Sequence, residues 1–297
     1  SNETAVKSFV ETNGTIKTGF TTVAKNNIGM YDEEVTHAYT GMMLLGENEV
    51  PELSVRNVDW TTVTPEVILS QTGTIGQYGK SCALSADGKT MLVAGHVNIT
   101  GSNGGCAFVW EYDEATSAWG KYNMGGTFTT GVPHDLSLDN PVAAAAYGLA
   151  CDISADGKTV VISGYVDATP HGGIAWVWTY DNSTKSWSNT NGDISRSDVY
   201  DYGNDCAISG DGKTVVVISI YAGSFIWTQD SSGIWVSTEI TYTHVNANSI
   251  HSCAVSVDGN TVLITGNKIS QSKGDGFIFT RSGTTWTNTG NLHKTSA

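Results

Sequence analysis

The chain has 297 residues, with 34 Gly against 5 Pro, 39% hydrophobic residues, 9 Trp and 12 Tyr; this excludes a disordered chain and suits one large all-β domain. Its formal net charge is −14 with 15 Lys+Arg, which speaks against nucleic acid as a partner and against an anionic membrane surface. No apolar run approaches the roughly 18–20 residues that span a membrane, and nothing at the N-terminus reads as a signal peptide.

Residues 1–57 lack the pattern that dominates the rest. They read as a connector or assembly arm, or, taken with 40–75, as the outer half of a degenerate fifth repeat, because Asp59-Trp60-Thr61-Thr62-Val63 resembles the Trp strand that ends each later unit. Residues 58–297 form the main domain. Here a short motif returns four times, as Cys82-Ala83-Leu84-Ser85-Ala86-Asp87-Gly88-Lys89-Thr90 and again from Cys151, Cys206 and Cys253. Asp-Gly between two apolar runs is a strong hairpin signal and predicts a type I′ turn with both central residues at positive φ. The partner strands are Thr90 to Gly95, Val160 to Gly164, Val215 to Ser219 and Val262 to Gly266.

A third strand follows in each unit: Ala107-Phe108-Val109-Trp110, Ala175-Trp176-Val177-Trp178, Ser224-Phe225-Ile226-Trp227 and Gly276-Phe277-Ile278-Phe279. Side chains alternate across a strand, so the two aromatics share one face and Val or Ile takes the other. A polar turn and a fourth strand opened by Trp119, Trp187, Trp235 or Trp286 complete the unit. Four antiparallel strands with two apolar faces cannot stand alone in water, but can stack on copies of themselves. The predicted fold is all-β: a β-propeller of four-stranded antiparallel blades, four clear and a degenerate fifth on the N-terminal side. Each buried aromatic removes roughly 150–250 Å² from water, so these rings carry much of the packing between blades.

The connections of uneven length run from strand two to strand three and from unit to unit. In a meander both classes leave on one face, and variable loops on a rigid scaffold are where binding is usually placed. The candidate ligand- or partner-binding residues on that face are His96, Asn98, Asn103, His134, Asp135, Asp167, His171, Asp198, Tyr200, Tyr202, Tyr242, His244 and Asn246. In Gly131 to Ala146, the longest of these loops, Ala143 to Ala146 can form a helical turn.

No GxSxG, HExxH, P-loop or CxxC occurs, and the seven His show no pair at metal spacing. Four of the five Cys hold one position in four repeats and read as small packing residues; Cys106 lies in another strand. Asp152 replaces Ala in the innermost strand of unit two, where it points into the central channel or simply meets water, the second being the preferred reading. The expectation is no catalytic residue, no metal and no cofactor. Convergent carboxylates with shifted pKa would point instead to a hydrolase.

The run Tyr78-Gly79-Lys80-Ser81-Cys82 through Thr90, with Leu92-Val93-Ala94-Gly95 and Phe108-Val109-Trp110, resembles an FG-GAP-type propeller repeat. Tyr147-Gly148 and Tyr202-Gly203 stand where that family has Phe-Gly; the fourth unit, with His251-Ser252, departs. The resemblance covers about residues 75–292. It implies relatives such as the head region of integrin α chains and surface or extracellular proteins that bind protein or glycan. Calcium-binding members carry several ligands between the first two strands; Ala-Asp-Gly-Lys offers one carboxylate, so no calcium is expected there. The resulting expectation is a non-enzymatic structural or interaction protein, extracellular or displayed on a cell surface, virion or filament. Its partner is protein or a second copy. The alternatives are a lectin-like glycan binder and a hydrolase on a propeller scaffold.

Overall fold

A computed structural model describes residues 78–95, 105–137, 146–165, 172–220, 223–240, 250–268 and 273–293. The expected arm or fifth blade, and residues 143–145 of the expected helical turn, lie outside these. The chain divides into two units, Ser1–Ile68 and Leu69–Ala297, and all described residues belong to the second.

That unit contains four antiparallel sheets. The first has strands β1 (Ser81–Leu84), β2 (Thr90–Gly95), β3 (Cys106–Asp113), β4 (Ala118–Tyr122) and β5 (Phe128–Thr130) in sequence order, with β6 (His134–Asp135) also paired to β3. The second has β7 (Ala150–Ile153), β8 (Thr159–Tyr165), β9 (Gly173–Asp181) and β10 (Ser186–Ser188). The third runs β11 (Tyr202–Ile208), β12 (Thr214–Ser219), β13 (Ser224–Gln229) and β14 (Trp235–Ile240). The fourth runs β15 (Ile250–Val255), β16 (Thr261–Lys268), β17 (Lys273–Ser282) and β18 (Thr285–His293). The first strand of each sheet packs on the first strand of the next, β1 on β7, β7 on β11 and β11 on β15. The blades therefore fan about a common inner edge: the fold is a β-propeller, as the repeats predict.

The blades are glued by alternation. Cys151, Ile153, Val160 and Ile162 of blade two meet Leu92, Ala94, Ala107 and Val109 of blade one, all buried. Cys206, Ile208, Val215 and Val217 meet Ala150, Val161, Ala175 and Val177. Val262, Ile264, Phe277 and Phe279 meet Ala207, Val216, Ile218 and Ile226.

The turn at each Asp-Gly differs from expectation. Only the glycine has positive φ, at 70°, 69°, 71° and 66° for Gly88, Gly157, Gly212 and Gly259. The connection is a four-residue turn in which Gly88 N–H donates to Ser85 O and Ser85 N–H to Thr90 O, both at 2.9 Å. The aspartate explains this. Asp87 Oδ1 accepts the Ser85 hydroxyl at 2.6 Å and Lys89 N–H at 2.9 Å, while Ser85 Oγ accepts Thr90 N–H at 2.9 Å. The same three bonds recur at Ser154, Ser209 and Ser256. The carboxylate satisfies backbone donors that a two-residue turn would not leave open.

A second device joins consecutive blades. The Tyr202 hydroxyl accepts Trp227 Nε1–H at 2.8 Å and donates to Ile194 O of the preceding blade at 2.9 Å. Tyr147 does the same with Trp178 at 3.1 Å and Leu136 O at 3.0 Å. In the fourth unit Ile250, buried and paired with Gly266 as Tyr202 is with Ser219, takes the place of the tyrosine, and Phe279 that of the indole. Donor and acceptor are lost together, so neither orphans the other.

Candidate active site on the propeller axis

The inner strands are sheet edges, and their outward N–H groups need acceptors. The sequence supplies them from the neighbouring blade. Ser81 Oγ accepts Cys151 N–H at 3.1 Å, Asp152 Oδ2 accepts Ile208 N–H at 2.8 Å, and Asp205 Oδ2 accepts Cys253 N–H at 3.0 Å. Asp152 Oδ1 also takes Ile153 N–H at 2.8 Å. Asp152 and Asp205 are half-buried. Burial raises both carboxyls above their ordinary value, against the backbone hydrogen bonds that lower them, and the Asp205 charge raises Asp152 further. The sequence reading that left Asp152 to meet only water in the channel misses this second, neighbouring carboxyl. Both lie one position from a repeat cysteine, but on opposite sides of it, so no single column of the repeat marks the pair.

Burial pushes the Cys151 thiol up to about 12 and holds those of Cys206 and Cys253 well above the ordinary thiol value, which favours the unreactive protonated form. All five Cys are free; Cys82 is exposed, whereas Cys151 and Cys206 are buried as packing residues.

The pH dependence of stability follows from two groups of carboxyls with opposite shifts. Asp87 and Asp258 are held below the ordinary 3.8, chiefly by hydrogen bonds from Ser85 and Ser256. Their contribution is present above that value and is lost as pH falls through their lowered values. Asp152 and Asp205 are raised; their contribution is present below 3.8 and is lost as pH rises through their folded values. The melting temperature is therefore expected to peak at weakly acidic pH. A curve flat from about pH 4 to pH 8 would show that the axial carboxyls are not shifted.

A second polar cluster lies between blades one and two. His134 Nε2 pairs with Glu111 Oε2 at 2.8 Å, and Tyr122 N–H donates to the same oxygen at 2.9 Å. Burial raises Glu111, but these bonds win and hold it below its ordinary value. The Tyr180 ring stands 5.8 Å from the His134 ring, and its hydroxyl is buried beside Glu111 without a well-formed hydrogen bond.

The structure places five of the thirteen sequence-predicted site residues. Two are corrected. Tyr202 is not on the loop face; it is 0% exposed and links two blades. His134 is not a solvated loop residue; it is buried in β6, where Phe108↔Asp135 and Val109↔His134 pairing draws it inward to Glu111. Asp135 and Tyr200 are exposed, and exposed Asp198 is tied to Arg196 at 2.7 Å. These five do not converge on one site. His96, Asn98, Asn103, Asp167, His171, Tyr242, His244 and Asn246 lie outside the described residues.

No family model and no curated protein matches the chain. Among solved structures it is similar to a 6-phosphogluconolactonase candidate from Bacteroides uniformis, at 14% identity and TM-score 0.41, over 72% of this chain and 71% of that one. It is similar also to the periplasmic gluconolactonase PpgL of Pseudomonas aeruginosa, at 14% identity and TM-score 0.44, over 80% of this chain and 63% of that one. A third is Sqt1 from Chaetomium thermophilum, at 9% identity and TM-score 0.44, over 70% of this chain and 45% of that one. The chain thus spans less than two thirds of the second and third proteins. Identities this low bear on the fold alone. Two of these three structures carry lactonase names, and the expectation of a non-enzymatic structural protein is withdrawn together with its virion and filament setting.

Proposed function

We propose that the chain is a hydrolase whose axial carboxyls, Asp152 and Asp205, act as a general acid–base pair on a neutral carbohydrate-type substrate, a lactone or a glycoside. The observation that carries this reading is the placement of two half-buried carboxyls on adjacent inner strands, each bonded to the backbone of the next blade, with burial raising both. Such pairs divide acid and base roles when their environments differ. Asp152 is the acid, because the Asp205 charge adds to its burial and favours the protonated form. It gives its proton to the leaving oxygen. Ionised Asp205 takes a proton from the attacking water, whose hydroxyl joins the electrophilic carbon as the bond to the leaving oxygen breaks. A net charge of −14 and an axis carrying two carboxyls disfavour phosphorylated or otherwise anionic substrates.

The test is hydrolysis of a panel of aldonolactones and aryl glycosides by the wild type, Asp152→Asn and Asp205→Asn, each with its melting temperature. Turnover by the wild type is expected to fall about 10²–10⁴-fold in either variant. The wild-type pH–rate profile, which needs no variant to fold, is expected to hold its alkaline limb above the ordinary carboxyl range. No turnover of any substrate, or full activity in both variants, sinks the reading. The Tyr-Gly pair, repeated in three units, and the Asp-Gly turn, repeated in four, further support an FG-GAP-type repeat and, with it, a location outside the cytoplasm, which fractionation of the source cells tests.

A further inference from the structure

The faces that join blades inside the chain are left over at its two ends. Cys82, Leu84, Met91 and Val93 of blade one are the counterparts of Cys151, Ile153, Val160 and Ile162, paired in the same register, Cys82↔Val93 and Leu84↔Met91. In blade two that set is buried; in blade one Cys82 is exposed, Leu84 is 57% exposed and the other two are half-buried. At the far end, blade four turns Ala254, Leu263 and Ile278 away from blade three. Their counterparts Ala207, Val216 and Ile226 are buried, whereas Ala254 is exposed and Leu263 and Ile278 are half-buried. Leu292, paired with Gly276 on that face, is 55% exposed.

The turn glycines show what each end lacks. A Cβ on Gly157, Gly212 or Gly259 would lie 2.6–2.7 Å from Oγ1 of Thr90, Thr159 or Thr214, the threonine after the preceding blade's turn. Gly88 has the same backbone, and a Cβ there meets no described atom within 4 Å. What fits Gly88 is a threonine following an Asp-Gly turn. The chain holds four of these; Thr90, Thr159 and Thr214 are occupied, and Thr261 on blade four is not matched to a following glycine. Among the described residues, no strand of blade four packs on blade one of its own chain as joined blades pack on each other. Residues 1–77 contain no Asp-Gly turn followed by threonine.

We propose that the partner of blade one is blade four of a second copy, and that two copies close one ring of eight blades. Front face meets back face in two contacts related by a two-fold axis, each repeating the packing made three times within the chain, so two copies close the ring. Eight blades lie within the four-to-eight range of propellers. The contact to expect at the seam is visible inside the chain: Asp152, the counterpart of Ala254, touches the N–H of Ile208, the counterpart of Leu84. Positions 254 and 84 of different copies therefore adjoin.

The experiment is light scattering and sedimentation on the full chain at micromolar concentration, with circular dichroism as a check on folding. The wild type is expected at twice the chain mass. Leu84→Glu and Ala254→Arg each place an unpaired charge in an apolar seam, and each is expected to weaken dimerisation at least about 100-fold. Combining Leu84→Glu with Ala254→Arg on one chain sets the new carboxylate of each copy against the new guanidinium of the other, and is expected to restore the dimer. A monomeric wild type overturns the proposal, as do single variants that dimerise like the wild type, a folded double variant that stays monomeric, or open-ended growth.

Discussion

Replacing Tyr202 by alanine is expected to destabilise the propeller by about 3–5 kcal/mol, the usual cost of deleting a buried aromatic ring. The ring has no exposed surface and packs edge-on against Phe225 at 5.9 Å. The hydroxyl adds a separate term. In Tyr202→Phe the ring stays, but Trp227 Nε1–H and the carbonyl of buried Ile194 lose their partner. That change alone is expected to cost about 1–3 kcal/mol. Tyr78→Phe is the internal control. Its hydroxyl accepts one longer bond, 3.3 Å from Trp110 Nε1, and the side chain is half-buried, so a smaller loss is expected. Urea unfolding followed by Trp fluorescence gives all three values. Equal losses for the two Tyr→Phe variants would mean that the bond to the preceding blade contributes nothing.

Gly173→Ala is expected to be more damaging than its one methyl suggests. Gly173 opens β9 and exchanges backbone bonds with Arg196, at 2.8 and 3.0 Å. A Cβ there would sit 1.6 Å from Tyr202 O, a backbone atom at the start of the next blade. Neither strand can yield without breaking its ladder, so the cost is expected to exceed about 3 kcal/mol, at the upper end for overpacking. Against the 5–15 kcal/mol typical of a domain, that predicts a large drop in melting temperature and in soluble yield. Gly105 stands in the same relation to Tyr147 O, at 1.3 Å, and Gly105→Ala is expected to match it. Gly283→Ala, at a turn where a Cβ meets nothing within 4 Å, is the contrast: its φ of 62° leaves only local strain. A melting temperature for Gly173→Ala equal to that of Gly283→Ala would refute the close-approach argument.

These two positions also show how far the sequence could be read. Tyr202 is visible as part of a repeated Tyr-Gly, but its place in the repeat led to the loop face because a strand-to-strand connection precedes it. Only packing shows that the ring turns inward to Trp227. His134 misled for a related reason. It sits in a long polar connection with Pro133 and Asp135, and nothing local announces that two residues of that connection pair with β3. Asp152 was legible as an exception, a carboxyl where three other units have Ala, whereas Asp205 was not, because Ser81, Ala150 and Ser252 give its column no fixed chemistry.

By itself the sequence determined the blade: two alternating apolar faces, a turn every few residues, and four repetitions of both. Those features are set by neighbours along the chain and survive being read one residue at a time. Only the tertiary structure decided which groups meet between blades, the Tyr–Trp links, the Gly173 approach and the two axial carboxyls. Such contacts join residues tens of positions apart, and their energies depend on burial and distance, which no linear pattern records.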